Sequence, residues 1–159
     1  MNVFLAGIMQ GSIPAARIHP QDWRTPIKHA LARHCPLAKV YCHYEAHPNS
    51  LQYEQPQIVQ TLEDGNHRAR EADVVICWLP EASMGTAIEM YVAAKAGAVV
   101  ISITPMVANW VIRTYSDRIL PDLDAFEQFL AGGELAALHR QKRLGGSGEP
   151  PIDPPDQSA

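Results

Sequence analysis

Short apolar runs alternate along the chain with longer amphipathic stretches. Continuous apolar runs predict buried strands over residues 3–6, 73–79 and 98–103, and weaker patterns predict strands over 38–44 and 118–120. Apolar residues spaced three and four positions apart predict the intervening helices, over 22–34, 57–72, 87–96, 107–115 and 123–138. Gly132 and Gly133 are expected to weaken or break the last helix.

This alternation of strand and helix is typical of an α/β domain with a doubly wound parallel sheet. In the strand order 2-1-3-4-5, the loops after strands 1 and 3 are neighbours at the carboxyl ends of the strands, where such sheets bind ligands. We expect a single domain over residues 1–143. Residues 144–159 are rich in Gly, Pro, Ser and Asp, which predicts a disordered tail.

Composition and charge narrow the classes of function. The 159 residues carry a net charge of -4, which argues against a nucleic-acid polymer as partner. No apolar run reaches the roughly 18 residues of a membrane span, and no basic leader is visible, so the cytoplasm is the expected location. The three cysteines lack CxxC spacing, which argues against a disulfide framework and a zinc ribbon. A small-molecule ligand is therefore expected.

Two glycine-bearing loops, residues 7–12 and 80–85, follow strands 1 and 3 and would face one crevice. Glu89 lies one turn into the helix after the second loop, where a carboxylate can meet a small ligand. The same residue also fits a capping box with Thr86, in which the glutamate folds back onto the start of the helix. The spacing alone leaves both interpretations open.

His43 and His47, together with Cys42 and Glu45, are the candidates for a metal site. His-x3-His binds a metal from one face of a helix, whereas this stretch resembles the end of a strand followed by a loop. We therefore interpret both as solvated histidines at a strand end. Neither a metal nor a cofactor is expected.

Four segments together resemble the nucleoside 2-deoxyribosyltransferase superfamily, which includes the 2'-deoxynucleoside 5'-phosphate N-hydrolases and the cytidine 5'-monophosphate N-glycosidases. The segments are residues 4–7, 72–76, 83–89 and 109–113. The resemblance spans most of residues 2–130 and implies a flavodoxin-like (Rossmann-like) five-stranded fold with Glu89 as nucleophile. It also implies a homodimer or higher homo-oligomer in which Asn109 is donated to the neighbouring site.

The same resemblance implies the other site residues. Asp73 is expected to be a second catalytic residue, although an Asp that begins a buried strand also serves as a hydrogen-bond partner for a neighbouring loop. The expected substrate-binding residues are Gly7, Ile8, Met9, Gln10, Ser12, Ser83, Met84, Gly85 and Asn109.

Two features depart from the family pattern. Many relatives have an Asp eight residues before the one matched by Asp73, where this chain has Gly65. The nucleotide hydrolases read phosphate with an Arg and a Ser of the first loop, where Gln10 and Ile8 stand here. A preference for a monophosphate is thereby weakened.

The predicted activity is cleavage or transfer at the N-glycosidic bond of a (2'-deoxy)nucleoside or its 5'-monophosphate, with retention, through a glutamate nucleophile. Two alternatives stay open. One is a non-catalytic nucleotide-binding or sensing domain of the same fold. The other is a hydrolase of a larger nucleotide such as NAD.

Overall fold

Five parallel strands form the centre of the computed structural model, which describes residues 1–145. The strands are β1 Asn2–Gly7, β2 Lys39–Cys42, β3 Val74–Trp78, β4 Val99–Ile103 and β5 Arg118–Leu120. Their order in the sheet is β2-β1-β3-β4-β5. The predicted doubly wound, flavodoxin-like α/β fold is confirmed.

Helices connect the strands and cover the sheet. Within the described residues the α-helices are α1 Arg24–His34, α2 His43–Ala46, α3 Gln55–Glu71, α4 Met84–Lys95, α5 Trp110–Tyr115, α6 Leu123–Ala131 and α7 Glu134–Arg143. The helix expected over 123–138 is divided at Gly133, whose φ of 72° lies in the left-handed region that interrupts a helix. Residues 146–159, where most of the predicted tail falls, lie outside the described part of the chain.

Two hydrophobic layers hold the sheet, because successive side chains of a strand point to opposite faces. On one face, Leu5 packs in a buried cluster with Ile27 of α1 and Phe126 of α6. On the other face, Phe4 belongs to a cluster with Met90 of α4. Helices α1 and α4 therefore lie on opposite sides of the sheet, and both begin at its carboxyl edge.

The register of the strands determines where the loops leave the sheet. Gly7 pairs with Trp78, so β1 and β3 end side by side. The second strand has four residues, Lys39–Cys42, three fewer than predicted: its pairing with β1 stops at Cys42, and His43 already begins the single turn of α2. No helix in residues 1–145 is long and apolar enough to cross a bilayer.

Candidate active site

The loops after β1 and β3 contact each other at the carboxyl edge of the sheet. Nε2 of His19, in the first loop, lies 3.0 Å from Oε1 of Glu81, in the second. Gly11 lies beside this pair with φ 54°, and a Cβ there would be 2.7 Å from the Glu81 carboxylate. Glycine is required at this position by both the backbone conformation and the lack of space. The structure thus brings together the two loops that the sequence predicts to be neighbours.

Gly7 ends β1 directly under an indole ring. A Cβ on Gly7 would lie 2.5 Å from ring atoms of Trp23, so no larger residue fits without moving that ring. Trp23 stacks on Trp78, with ring centroids 6.1 Å apart. The two indoles form an aromatic layer over the ends of β1 and β3, on the α1 side of the sheet.

The predicted binding residues of the first loop have different surroundings. Ile8 is buried, and its N–H donates to the carbonyl oxygen of Trp78 at 3.1 Å, so it anchors the loop to β3. Met9 places its sulfur 3.7 Å from Nη2 of Arg24. Gln10 and Ser12 are exposed. This loop therefore offers a ligand two polar side chains, while Ile8 and Met9 face the protein.

Ser83 caps helix α4. Its Oγ accepts hydrogen bonds from the backbone N–H of Thr86 at 3.5 Å and from the Thr86 hydroxyl at 3.1 Å. Because the helix begins at Met84, Thr86 lies within its first turn and Glu89 lies in its second. The alternative of a Thr86–Glu89 capping box is therefore wrong, since it requires a helix that starts after Thr86.

Met84 and Gly85 form the exposed start of α4. The Met84 side chain is largely exposed. Gly85 has open space where a Cβ would be. The first turn of α4 is thus accessible at the crevice, with backbone N–H groups that no earlier turn of the helix satisfies.

Glu89 lies in the second turn of α4, which begins at the carboxyl edge of the sheet. Its side chain is partly buried, and within residues 1–145 it forms neither a hydrogen bond nor an ion pair. Loss of water raises the pKa of Glu89 to about 8, and the positive charge of Arg24 opposes that rise. At neutral pH the free site therefore holds this carboxyl mainly in its protonated form.

Gly65 of α3 lies beside the carboxylate of Glu89 and has no side chain to fill the space between them. A Cβ on Gly65 would lie 3.7 Å from Oε1 of Glu89 and 3.3 Å from Cε1 of His43. The imidazole of His43 thus takes the space beside the carboxylate that a side chain at position 65 would occupy. This glycine is buried within a helix, where it costs about 1 kcal/mol relative to alanine.

The interpretation of His43 and His47 as solvated strand-end residues is wrong. Both are partly buried, and their rings lie 4.7 Å apart, because α2 turns the chain back over the end of β2. Burial, followed by the nearby His47 and Arg24, lowers the pKa of His43 to about 4. His43 is therefore neutral at physiological pH, with its Nδ1 buried and unpaired among the described residues. His47 is in turn held by the Tyr53 hydroxyl, 3.2 Å from its Nδ1.

Arg24, at the start of α1, is buried at 4 % exposure. Its guanidinium lies 4.0 Å from the ring centroid of Trp23 and 5.3 Å from that of Tyr44. It donates a hydrogen bond to Oε1 of Gln21. Burial lowers the pKa of Arg24, but an arginine stays charged at any physiological pH. A positive charge is thus fixed at the carboxyl edge.

The structure does not bring Asp73 together with Glu89. Asp73 precedes β3 at the amino edge of the sheet, and its Oδ2 accepts the backbone N–H of Asn2 at 2.6 Å. This hydrogen bond lowers the pKa of Asp73, and His139 of α7 lies 3.6 Å from its other oxygen. Asp73 therefore fixes the start of β1, at the end of the sheet opposite the crevice.

Asn109 caps helix α5. Its Oδ1 accepts the backbone N–H groups of Val111 at 3.0 Å and Ile112 at 3.3 Å. The residue is exposed, so its amide nitrogen points to the surroundings of this chain. The cap leaves the amide N–H groups available to another molecule.

Arg24 and His43 are two residues near Glu89 that the sequence prediction does not assign to the site. For His43 a usable signal was present, since it directly follows a strand of a parallel sheet and so belongs at the carboxyl edge. For Arg24 none was available, because an arginine in the first turn of an amphipathic helix is usually exposed. Within residues 1–145, no group of three or more His, Cys, Asp or Glu side chains is placed to hold a metal ion.

Comparisons of the fold identify related architectures. A 2-deoxyribosyltransferase from Bacillus psychrosaccharolyticus matches with a TM-score of 0.64 and 14 % identity, over 87 % of this chain and 96 % of that one. A CMP N-glycosidase of Clostridium botulinum matches with a TM-score of 0.51 and 21 % identity, over 82 % and 98 % of the two chains. The chain has the deoxyribosyltransferase fold. A conserved protein from Enterococcus faecalis V583 also shares it, with a TM-score of 0.56 and 11 % identity over 84 % and 98 % of the chains.

No protein-family model matches the sequence, and no curated protein matches it significantly. The deoxyribosyltransferase fold is therefore recognised through structure. The 2-deoxyribosyltransferase and the CMP N-glycosidase belong to the superfamily that the four sequence segments resemble. The predicted resemblance is therefore confirmed at the level of the fold.

Proposed function

We propose that this protein cleaves or transfers at the N-glycosidic bond of a (2'-deoxy)nucleoside or its 5'-monophosphate, with Glu89 as the nucleophile. One observation carries the proposal. The Glu89 carboxylate lies at the carboxyl edge of the sheet, partly buried and free of any hydrogen bond within residues 1–145. A glutamate with a structural role would be paired or capped, and this one is neither.

The chemistry follows from the position of the carboxylate. Breaking an N-glycosidic bond builds positive charge on the anomeric carbon, which an ionised carboxylate stabilises or attacks. Glu89 would form a glycosyl ester as the base leaves and takes up a proton, and water or a second base would then displace the carboxylate. Retention follows from two displacements at the same carbon.

Substrate binding is assigned to the two loops and the start of α4. The exposed side chains of Gln10 and Ser12, together with the N–H groups of the first turn after Ser83, face the crevice where a sugar hydroxyl or a phosphate would lie. The partly exposed Trp78 ring, backed by the buried Trp23, offers an apolar surface for a base. Asp73 keeps a structural role in this proposal because it lies at the other edge.

A homo-oligomer completes the proposed site. Asn109 has its oxygen engaged in its own helix cap, and its amide N–H groups are free to reach a neighbouring subunit. Large apolar side chains surround it on the same region of the surface. They include Trp110, which is 83 % exposed, Val107 and Val111. Such a patch is typical of a protein–protein interface.

The test is a substrate panel. Deoxynucleosides, ribonucleosides, their 5'-monophosphates and NAD are incubated with the protein, with and without an acceptor base, and free or exchanged base is separated by chromatography. We expect base release from at least one nucleoside or monophosphate, and a loss of at least about 10³-fold in Glu89→Gln, the size usual for a missing nucleophile. Glu63→Gln, an exposed residue of α3, is the matched control and should retain full activity.

Absence of base release from every compound, or full activity of Glu89→Gln, contradicts the proposal. One observation favours the second candidate, a nucleotide-binding domain without activity: Gly65 leaves Glu89 without a neighbouring carboxylate on α3. Thermal unfolding with the same panel separates the two. A rise in Tm with an intact ligand and no turnover supports binding alone.

A further inference from the structure

Arg24 carries a buried charge for which the described residues hold no paired carboxylate. Its guanidinium donates to Gln21 and lies against the sulfur of Met9, while its Nε is buried without a partner. No ion pair within 4 Å involves this side chain among residues 1–145. Buried charges in proteins are normally paired, because an unpaired one loses its hydration without compensation.

Glu89 and Arg24 lie near the same turn of the chain. The Arg24 guanidinium is 5.3 Å from the ring centroid of Tyr44, and the adjacent His43 lies against Gly65, beside Oε1 of Glu89. Among the groups whose charges raise the pKa of Arg24, Glu89 is the carboxylate, and the others are the thiol of Cys42 and the phenol of Tyr44. The two residues come from opposite layers, Arg24 from the first turn of α1 and Glu89 from the second turn of α4. The single turn of α2, which carries His43 and Tyr44, is the neighbour that they share.

We propose that Arg24 is a positioning residue that supplies the counter-charge for ionised Glu89 when a ligand excludes water from the crevice. The proposal rests on the proposed function of Glu89 as nucleophile. In the free protein Glu89 is mainly protonated, and it must release its proton to water before it can attack. Removing water from around the carboxyl disfavours its ionised form. A fixed positive charge nearby favours that form, and its effect is larger in a low-dielectric site than in water.

The other charged and titratable groups near Glu89 are poorer sources of a counter-charge than Arg24. His43, over Gly65, is neutral down to a pH of about 4 and supplies no charge. Arg68 lies over the Tyr41 ring, 4.4 Å from its centroid, and is exposed. The remaining groups around the carboxyl are the thiol of Cys77, the phenol of Tyr41 and, farther out, Asp64. Arg24 is thus the buried cation among them.

An anionic group of the substrate, such as a 5'-phosphate, is the competing partner for Arg24. Two observations favour Glu89. The guanidinium is 4 % exposed, and the Met9 and Gln21 side chains cover it. Gln21 is itself held by hydrogen bonds from its Nε2 to the carbonyl oxygens of His19 at 2.6 Å and Ile8 at 3.1 Å.

The first experiment measures the ionisation of Glu89 without any substrate. Carbon-13 NMR of the glutamate carboxyls follows its titration in the wild type and in Arg24→Gln, Arg24→Met and Arg24→Lys, with the Glu89 signal assigned from Glu89→Gln. We expect the pKa of Glu89 to rise by about one unit or more in the two neutral variants, as for loss of an opposite charge nearby, and to stay near the wild-type value in Arg24→Lys. Two neutral variants are made so that the failure of one to fold does not decide the result.

Arg33→Gln is the matched control, because Arg33 lies on the same helix and pairs with Glu127 on the surface. It removes the same charge and should leave the titration of Glu89 unchanged. An unchanged Glu89 titration in folded Arg24→Gln or Arg24→Met overturns the proposal. This readout needs no turnover, so it stands apart from failure of the proposed activity.

The second experiment uses kcat/KM as a function of pH for a nucleoside and for its 5'-monophosphate. We expect the rising limb of both profiles to move to higher pH in Arg24→Gln. The size of this shift should equal the change in the pKa of Glu89 that NMR measures for the same variant. A higher KM for the monophosphate alone, with the limb unmoved, assigns Arg24 to phosphate binding and overturns the proposal.

Discussion

The Cβ of any residue at position 65 would stand 3.7 Å from Oε1 of Glu89. The glycine therefore permits the close approach of the His43 ring, whose Cε1 lies 3.3 Å from the same point. Position 65 itself contributes no side chain beside this carboxylate. Changes at this one position should act directly on the carboxylate.

Gly65→Asp should impair the protein at neutral pH. A second carboxylate beside Glu89 raises its pKa further, because two like charges in one site cannot both ionise readily. We expect kcat/KM at pH 7 to be about tenfold lower in Gly65→Asp than in Gly65→Asn, which corresponds to one pKa unit. Asparagine has the same shape without the charge and is the control. Higher activity in the Asp variant would instead mean that a carboxylate at position 65 assists the reaction.

Glu89→Gln should stabilise the fold at alkaline pH. The pKa of Glu89 is about 8 in the folded protein and near 4.5 in the unfolded chain, so between these values the folded state binds the extra proton. Stability conferred by the protonated carboxyl is thus lost as pH rises toward 8. We expect Glu89→Gln to exceed the wild type by about 1–3 kcal/mol in free energy of unfolding at pH 9 and by much less at pH 5.

Chemical denaturation at the two pH values measures this difference. Glu63→Gln, on the exposed face of α3, should show no such dependence on pH. Equal stabilities of Glu89→Gln and wild type at pH 9 would show that the carboxyl is well hydrated in the folded protein.

His43→Asn should protect the fold against acid. Burial holds the pKa of His43 at about 4, below its ordinary 6.5, so between these values the unfolded state binds more protons than the folded one. Wild-type stability therefore falls as pH drops from 6.5 to 4. We expect the free energy of unfolding of His43→Asn, relative to that of the wild type, to increase by about 1–3 kcal/mol over that interval.

Denaturation curves at pH 7 and pH 4 check the effect of His43. His29→Asn, an exposed residue of α1, is the control and should track the wild type. A His43 variant with the same acid sensitivity as the wild type contradicts the burial of the neutral ring.

Two variants of Asn109 distinguish its role as a helix cap from a role in a neighbouring site. Asn109→Asp keeps the capping oxygen and loses the amide N–H groups, whereas Asn109→Ala loses both. We expect the alanine variant to lose about 1 kcal/mol of stability and the aspartate variant to lose little. Both should lose activity if the amide completes a neighbouring site.

Mixing two inactive variants tests the exchange of Asn109 between subunits. Glu89→Gln and Asn109→Asp each lack one half of the proposed site. Mixed oligomers contain some sites with both residues intact, so activity should reappear after subunit exchange. If the mixture stays inactive while each variant still forms oligomers, Asn109 acts within its own chain or not at all.

The apolar runs were sufficient to predict the three central strands β1, β3 and β4, because strands buried on both faces leave a continuous signal in the sequence. The order of the strands also followed, since two glycine loops at one edge suit that order. The break at Gly133 was predictable because glycine favours the left-handed conformation found there.

The surroundings of Glu89 were less predictable from local patterns. The pairing of β2 with β1 stops at Cys42, and nothing in the spacing shows that His43 turns back toward α3. The cap at Ser83 decided against a capping box at Thr86, yet both residues suit the start of a helix. The burial of Arg24 depends on Trp23 crossing Gly7, a contact between distant parts of the chain.

The Trp23–Trp78 pair beside Gly7 provides a fluorescence signal from this end of the sheet. Trp23 and Trp78 stack beside a buried guanidinium, whereas Trp110 stands 83 % exposed next to Asn109. These are the three tryptophans of the chain. The emission of the stacked pair should respond to a ligand in the proposed site, and that of Trp110 should shift on dilution if Asn109 lies at a subunit interface. The tryptophans thus serve as optical reporters for both the proposed ligand and the proposed assembly.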